Sequence, residues 1–302
     1  MEFMSVSVAT TVMQPMRLPF LLLTPSVLLL AFALAEYTGS SLYWLDMALI
    51  MVAGISAHMS VNLLNEHSDF RTGLDMQTER TPFSGGSGGL PANPEAASAV
   101  YKAGIATLVL TVGIGFYYVL IFGYQLLLLG TLGALLIVAY TPIINRSAWA
   151  CLIAPGLAFG PLMVLGSWYI LVGYFDWTPV LVSLIPFFMV NNLLLLNQFP
   201  DVAADEQAGR KHFVICYGYE FSAYMYGLQA MAAVLVLLAC IINQLLPPTA
   251  FVALLPVGLQ LIVARGAWKH QANIARLMPF MAMNVISNLL TPALLAVLMF
   301  VH

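Results

Sequence analysis

Nine apolar stretches recur along this chain, each close to the roughly 20 residues that carry a helix across a hydrocarbon core. They lie near Leu18–Ala35, Trp44–Leu64, Ser98–Leu120, Tyr124–Ile144, Trp149–Val172, Pro179–Leu196, Phe221–Ile242, Thr249–Arg265 and Pro279–Val301. Backbone inside a bilayer must satisfy its own polar groups, so these runs predict an all-α, polytopic membrane protein with nine transmembrane helices. The composition removes the competing class. With 61% hydrophobic residues and a mean hydropathy of +0.92, a water-soluble globule would have no polar surface to present. A net charge of −3 argues against a nucleic-acid partner. The three cysteines (Cys151, Cys216, Cys240) have neither metal-site spacing nor a disulfide framework.

Charge orients the spans. All ten Lys and Arg residues fall in or beside the N-terminal tail or the connections after spans 2, 4, 6 and 8. By the positive-inside rule the N-terminus and those four connections are cytoplasmic and the C-terminus is outside. A miscounted span would scramble this parity. The first run ends in Ala33-Leu34-Ala35, a pattern shared with signal-peptide cleavage sites. Because the region before Arg17 is not basic and eight spans follow, a retained first span is expected.

The two longest connections, about 65–97 and 197–220, therefore share one face. Only 8% of residues are charged, yet the first of these opens on Asn65-Glu66-His67-Ser68-Asp69-Phe70-Arg71-Thr72-Gly73-Leu74-Asp75. If the apolar helix runs on, Asn62, Asn65/Glu66 and Asp69 fall at i, i+3/i+4 and i+7, an oxygen array on one helical face. Such oxygens suit a hard divalent cation, above all Mg²⁺ shared with a substrate's phosphates. A solvated loop cap would explain one such cluster, but there is a second. Asn197-Gln198-Phe199-Pro200-Asp201-Val202-Ala203-Ala204-Asp205-Glu206 again follows a span, with Asn197, Asp201 and Asp205 at i, i+4 and i+8. Cations accompany both clusters: Arg80 beside the glycine-rich Ser84-Gly85-Gly86-Ser87-Gly88-Gly89, and Arg210-Lys211 after Gly209. Carboxylates would take the metal and Arg and Lys the outer phosphate oxygens. The chain reads as one domain, 1–302, with two pseudo-repeated acidic loops on its cytoplasmic face.

These stretches resemble the UbiA superfamily of membrane prenyltransferases. The first fits the family's Asn-Asp-x-x-Asp…Asp motif, with Glu66 in place of the second-position Asp. The second fits its Asp-x-x-x-Asp motif through Asp201 and Asp205. Gly73-Leu74-Asp75, Asn197 before Asp201, and Gly209-Arg210 are similar to the branch that prenylates 1,4-dihydroxy-2-naphthoate on the way to menaquinone. So is Gly160-Pro161-Leu162-Met163-Val164-Leu165-Gly166-Ser167-Trp168-Tyr169. Pro200 and His212 depart from the pattern.

The resemblance implies helices around a central cavity and Mg²⁺-dependent ionisation of an isoprenyl diphosphate, with attack by an aromatic acceptor. It implies metal ligation by Asn65, Asp69, Asp75, Asn197, Asp201 and Asp205, and substrate contacts from Asn65, Arg71, Arg80, Arg146, Asn197, Arg210 and Lys211. Arg80 and Arg210 would hold the diphosphate, and Arg146 the carboxylate of an acidic acceptor. Catalysis would fall to Asp69, Asp201, Asp205, Arg71 and Tyr140. Tyr117, Tyr118, Tyr140, Trp168 and Tyr169 are candidates to stabilise an allylic cation, though for each the core or interface-belt reading takes precedence, because membrane proteins place Tyr and Trp there in any case. His58, inside the second span, reads as a packing or helix–helix hydrogen-bonding group. A membrane terpene cyclase would need the same metal site. A secondary transporter would also fit nine helices and a weak repeat, although its ionisable residues belong at the midplane.

Overall fold

The computed structural model describes residues 7–78 and 80–302. Its framework is a set of apolar helices: α1 (Leu23–Tyr37), α2 (Trp44–Thr72), α3 (Ala97–Phe122), α4 (Tyr124–Ala139), α5 (Ala148–Val172), α6 (Trp177–Asn197), α7 (Phe213–Ile242), α8 (Leu254–His270) and α9 (Ile274–Phe300). Among the described residues eight helical stretches are long and apolar enough to cross a membrane, and α4, at 16 residues, is the shorter ninth. It stops short of the expected Ile144 because Pro142 disfavours helical backbone in the residue before it. The chain turns there through Ile144–Arg146 into α5.

Each helix packs on the next, and α9 returns to α1, so the bundle closes on itself. α1 and α6 are the most enclosed, and α3 is the most exposed to the surroundings. Two local devices shape α5 and α7. Pro161 sits in a π-turn, Ala158–Leu162, where the helix widens against α6. At Gly156 and Gly160 a side chain would collide with the α6 backbone, so only glycine permits this approach. In α7 the backbone breaks at Gly218 (φ +79°), one turn before the expected start of its apolar run.

The C-terminal half is joined by neutral amides. Asn192 (α6) donates to the Tyr226 carbonyl at 3.0 Å and to Gln260 Oε1 (α8) at 2.9 Å. Tyr226 (α7) donates to Asn284 Oδ1 (α9) at 2.9 Å. Asn288 Nδ2 donates to the Asn284 carbonyl at 2.9 Å. In a low-dielectric interior these bonds carry their weight mainly because leaving any member unpaired is costly. Between α1, α2, α5, α6 and α9 the bundle encloses a chamber of about 80 Å³.

Four of the five aromatic candidates, all but Tyr140, lie toward the end of α2 away from Asp69. Tyr118 donates to Asp46 Oδ1 at 2.7 Å, and its ring meets Tyr117 and Phe122. Trp168 donates to the Tyr174 carbonyl at 2.9 Å, and Tyr169 stacks on Phe175. Asp46 and Asp69 are about 35 Å apart along the helix at 1.5 Å per residue. Tyr117, Tyr118 and Tyr169 therefore belong to an aromatic cluster of the far end, where Asp46 is the partner of Tyr118, and Trp168 packs in a separate core cluster.

Candidate active site

α2 is about 44 Å long at helical rise, longer than a hydrocarbon core is thick. The helix does run on through the first acidic stretch, to a C-cap at Gly73 (φ +79°). The Asn-x₃-Asp spacing then acts locally: Asn65 Nδ2 donates to Asp69 Oδ2 at 2.7 Å. Thr141, from the turn after α4, donates to Asn65 Oδ1 at 3.0 Å and fixes the amide's orientation.

The second acidic stretch closes on the first through one cation. Arg210 donates from Nη2 to Asp69 Oδ1 and from Nη1 to Asp205 Oδ1, the latter at 2.9 Å. Burial opposes the charge of Arg210, but the Asp69 and Asp205 carboxylates outweigh it and hold the guanidinium above its usual pKa. Tyr140 lies close enough for its hydroxyl to act on the same guanidinium. His212 sits on the other side of Asp205, Nε2 to Oδ2 3.1 Å. Its Nδ1 accepts from Ile215 N at 3.5 Å, capping α7, while Nε2 is buried and makes no hydrogen bond of good geometry. His212, which departs from the family pattern, thus caps α7 beside Asp205.

Glu66 does not join the carboxylates around Arg210. It is buried and takes the Ser87 N–H at 3.0 and 3.1 Å and the Ser87 hydroxyl as well. The glycine-rich loop is thereby tied to α2. Its backbone presses on the site, since a Cβ at Gly86 would stand 2.6 Å from Asp75 Oδ1. One at Gly88 would stand 2.0 Å from the Arg80 guanidinium. The sequence signal for this tie was Glu66 itself, a longer acid where the pattern has Asp.

Asp75 and Asp201 lack cationic clamps of their own. Burial, reinforced by the negative charges of Glu66 and Asp69, pushes Asp75 up to about 7. Burial and the Asp205 charge push Asp201 to about 7, with Ser84, Arg210 and Gly85 pulling the other way. Asp75 Oδ2, Asp201 Oδ1, Asn197 Oδ1 and Gln198 Oε1 are buried acceptor oxygens without a hydrogen-bond donor. Four such atoms in one region are what a hydrated cation would satisfy. Among the described residues no three His, Cys, Asp or Glu side chains converge tightly enough to cage an ion. This donor set suits Mg²⁺, which keeps most of its waters and uses one or two carboxylates together with substrate phosphates.

The remaining cations stand apart. Arg71, Arg80, Arg146 and Lys211 are exposed, and none of them is in an ion pair among the described residues. Arg71 is two residues past Asp69, about 200° around the helix, so it points away from the carboxylate face. Arg146 faces outward while its neighbour Asn145 is buried, accepting from Lys211 N at 2.9 Å.

Two acidic helix ends joined across the bundle by one arginine can be compared with known proteins. The profile of the UbiA prenyltransferase family matches residues 23–287. The chain belongs to the UbiA prenyltransferase family. UbiA relatives include the 1,4-dihydroxy-2-naphthoate octaprenyltransferase of Bacillus subtilis (strain 168), 24% identical over 209 residues. That match covers 66% of this chain and 63% of the relative, so the chain spans somewhat under two thirds of its length. A UbiA homolog from Aeropyrum pernix K1 superposes with a TM-score of 0.71 at 15% identity, covering 98% of both chains. A UbiA homolog from Archaeoglobus fulgidus, solved bound to DMAPP and Mg²⁺, gives 0.66 at 14% identity over 94% of this chain and 99% of the other. At such identities the UbiA likeness extends to the fold. The all-helical architecture expected of this chain is thus the family's.

Proposed function

We propose that this protein is an integral-membrane prenyltransferase that moves an isoprenyl group from a prenyl diphosphate to an aromatic acceptor of the dihydroxynaphthoate class. One observation carries the reading: Arg210 is held between Asp69 and Asp205, from two acidic loops far apart in sequence, beside the donorless oxygens of Asp75, Asn197 and Asp201. Family membership and the naphthoate octaprenyltransferase relative support transfer and the acceptor class, and the homolog with DMAPP and Mg²⁺ supports the donor and metal. The two acidic loops act as halves of one site in one domain. By charge segregation that site and the N-terminus are cytoplasmic and the C-terminus is outside.

Asn65, Asp69, Asp75, Asn197, Asp201 and Asp205 would hold Mg²⁺. When bound, the metal supplies neutralising charge for the diphosphate as it departs. The chain's own groups do the rest. Arg210, already oriented by two carboxylates, offers a planar fork to phosphate oxygens, and positioned charge of this kind is worth most where water is thin. Glu66 holds the glycine-rich loop so that its N–H groups and Arg80 can approach the same phosphates. Arg71, Arg146 and Lys211 remain candidates only for exposed, long-range attraction of the anionic donor.

Purified protein in lipid nanodiscs, supplied with Mg²⁺ and a prenyl diphosphate, with and without dihydroxynaphthoate, tests the proposal. Diphosphate release that requires the acceptor supports it. Release with a cyclic hydrocarbon would mean a cyclase, and no release under any condition would remove catalysis in favour of transport.

A further inference from the structure

Two of the cations left to long-range attraction have a closer setting of their own. Arg146 ends the turn after α4 and Lys211 precedes α7, far apart in sequence. The Lys211 N–H donates to the Asn145 carbonyl at 2.9 Å, so the two stretches of backbone run together. Both side chains are exposed, and neither is in an ion pair among the described residues.

Just inside them the helices begin, α5 at Ala148 and α7 at Phe213, and their first turns carry aromatic rings. Trp149 Nε1 donates to the Tyr217 hydroxyl at 3.0 Å, and the Trp149 ring meets Phe213 edge-on at 5.2 Å. From there a seam of rings follows α7. Tyr217 lies 4.7 Å from Phe213, Phe221 stacks 5.8 Å from Phe213, and Tyr224 stacks 6.1 Å from Phe221. Phe213 is buried beneath the seam, whereas Trp149 (48%), Tyr217 (45%), Phe221 (42%) and Tyr224 (58%) are open to the surroundings.

Four exposed rings in contact with one another would be costly in water, but on the outer side of two spanning helices they face lipid. Along both helices the order is the same: a cation outermost, then Trp or Tyr, then apolar side chains. A leaflet has that order too, with phosphate, glycerol backbone and hydrocarbon at successive depths. The exposed Trp44 and Trp177 at the other end of the bundle have no Lys or Arg in their connections, so they form a belt without a headgroup clamp. Glu220 is the one acid between Phe213 and Tyr224, and the two cations outnumber it. The net charge favours an anionic headgroup over a zwitterionic one.

We infer that the α5–α7 seam binds one anionic phospholipid of the leaflet that charge segregation marks as cytoplasmic. Arg146 and Lys211 hold its phosphate, Trp149 and Tyr217 stand at its glycerol backbone, and an acyl chain lies along Phe221 and Tyr224. The bound lipid bridges the turn before α5 and the connection that carries Arg210. Its capture does not depend on what the acidic site catalyses.

The test uses the full chain in detergent, stripped of native lipid and titrated with phosphatidylglycerol or phosphatidylcholine of identical acyl chains, with bound lipid counted by native mass spectrometry. Wild type should take one phosphatidylglycerol with about 10-fold higher affinity than phosphatidylcholine. Arg146→Gln with Lys211→Gln should bring the two lipids within about 2-fold of each other. Phe221→Ala with Tyr224→Ala should weaken both lipids and keep their ratio. Arg265→Gln with Lys269→Gln removes the same charge from exposed residues of α8 and should leave the ratio as in wild type. In nanodiscs, brominated phosphatidylglycerol should quench the Trp149 fluorescence, taken by difference from Trp149→Phe, more than brominated phosphatidylcholine does. No preference in wild type, or an equal loss from both cation pairs, would reduce the seam to a general belt and overturn the assignment. Displacement of the lipid by glycerol 3-phosphate at comparable concentration would overturn it in favour of a soluble anion. Displacement by prenyl diphosphate with Mg²⁺ would return the two cations to the reaction.

Discussion

Arg210→Ala removes the cation that joins Asp69 to Asp205 across the two acidic stretches. In the folded protein the arginine side chain is 18% exposed, and those of Asp69 and Asp205 are 9% and 6% exposed. Without it two enclosed carboxylates lose their counter-charge. Deleting one partner of a fully buried pair costs about 3–5 kcal/mol. Partial solvent access at this membrane face screens the loss, so about 2–4 kcal/mol is expected. The penalty is electrostatic, which fixes how it can be relieved. Millimolar Mg²⁺ should recover much of it by binding the freed carboxylates, and so should the second substitution Asp205→Asn. Neither should recover the affinity for prenyl diphosphate, because the metal restores charge but not the guanidinium fork. Stability is read as the SDS fraction at half-unfolding in mixed micelles, with and without Mg²⁺, and function as KM for prenyl diphosphate. A variant as stable as wild type without metal, or a loss of stability indifferent to both Mg²⁺ and Asp205→Asn, would refute the account of Arg210 as the electrostatic joint.

Three further outcomes are expected. Asp201→Asn keeps shape but removes a charge from a hard-cation site, and should lower turnover at least ~10²-fold with the protein folded, whereas Asp176→Asn, which still caps α6, should not; equal kinetics for the two would remove Asp201 from the machinery. Asp75 and Asp201 are raised from 3.8 to about 7, so in the absence of Mg²⁺ their protonated forms contribute stability that is full below pH ~4 and lost as the pH rises through about 7. Mg²⁺ binding, which needs the carboxylates, should strengthen over that same interval, and a calorimetric titration from pH 6 to 8 with no change in affinity would contradict it. In a cysteine-free background, a cysteine within 36–46 should react with an impermeant thiol reagent on intact cells and one near Gly86 only after permeabilisation; the reverse pattern would invert the assigned orientation.

What the sequence determined here is what repeats at short range. Apolar runs near 20 residues define the helices because a backbone in lipid has no other way to satisfy itself. Asn65 and Asp69 meet because residues four apart share a helix face, and Gly73 ends α2 because its backbone turns left-handed. Both acidic motifs, Arg210 and the glycine-rich loop were legible for the same reason. Helical periodicity already argued against Arg71, since a residue two positions from Asp69 lies across the helix from it. Other relations depend on where distant segments come to rest, and no local spacing encodes them. Asp69 lies on α2 and Arg210 in the connection before α7; Ser87 caps Glu66 from a loop that folds back on α2; His212 reaches Asp205 only because α7 begins there. Arg17 and Arg146 look alike in sequence, each a lone cation beside a span. Only the packed bundle turns Arg17 toward the chamber wall and leaves Arg146 at the surface, because the direction of a side chain next to a turn is set by what that turn is anchored to.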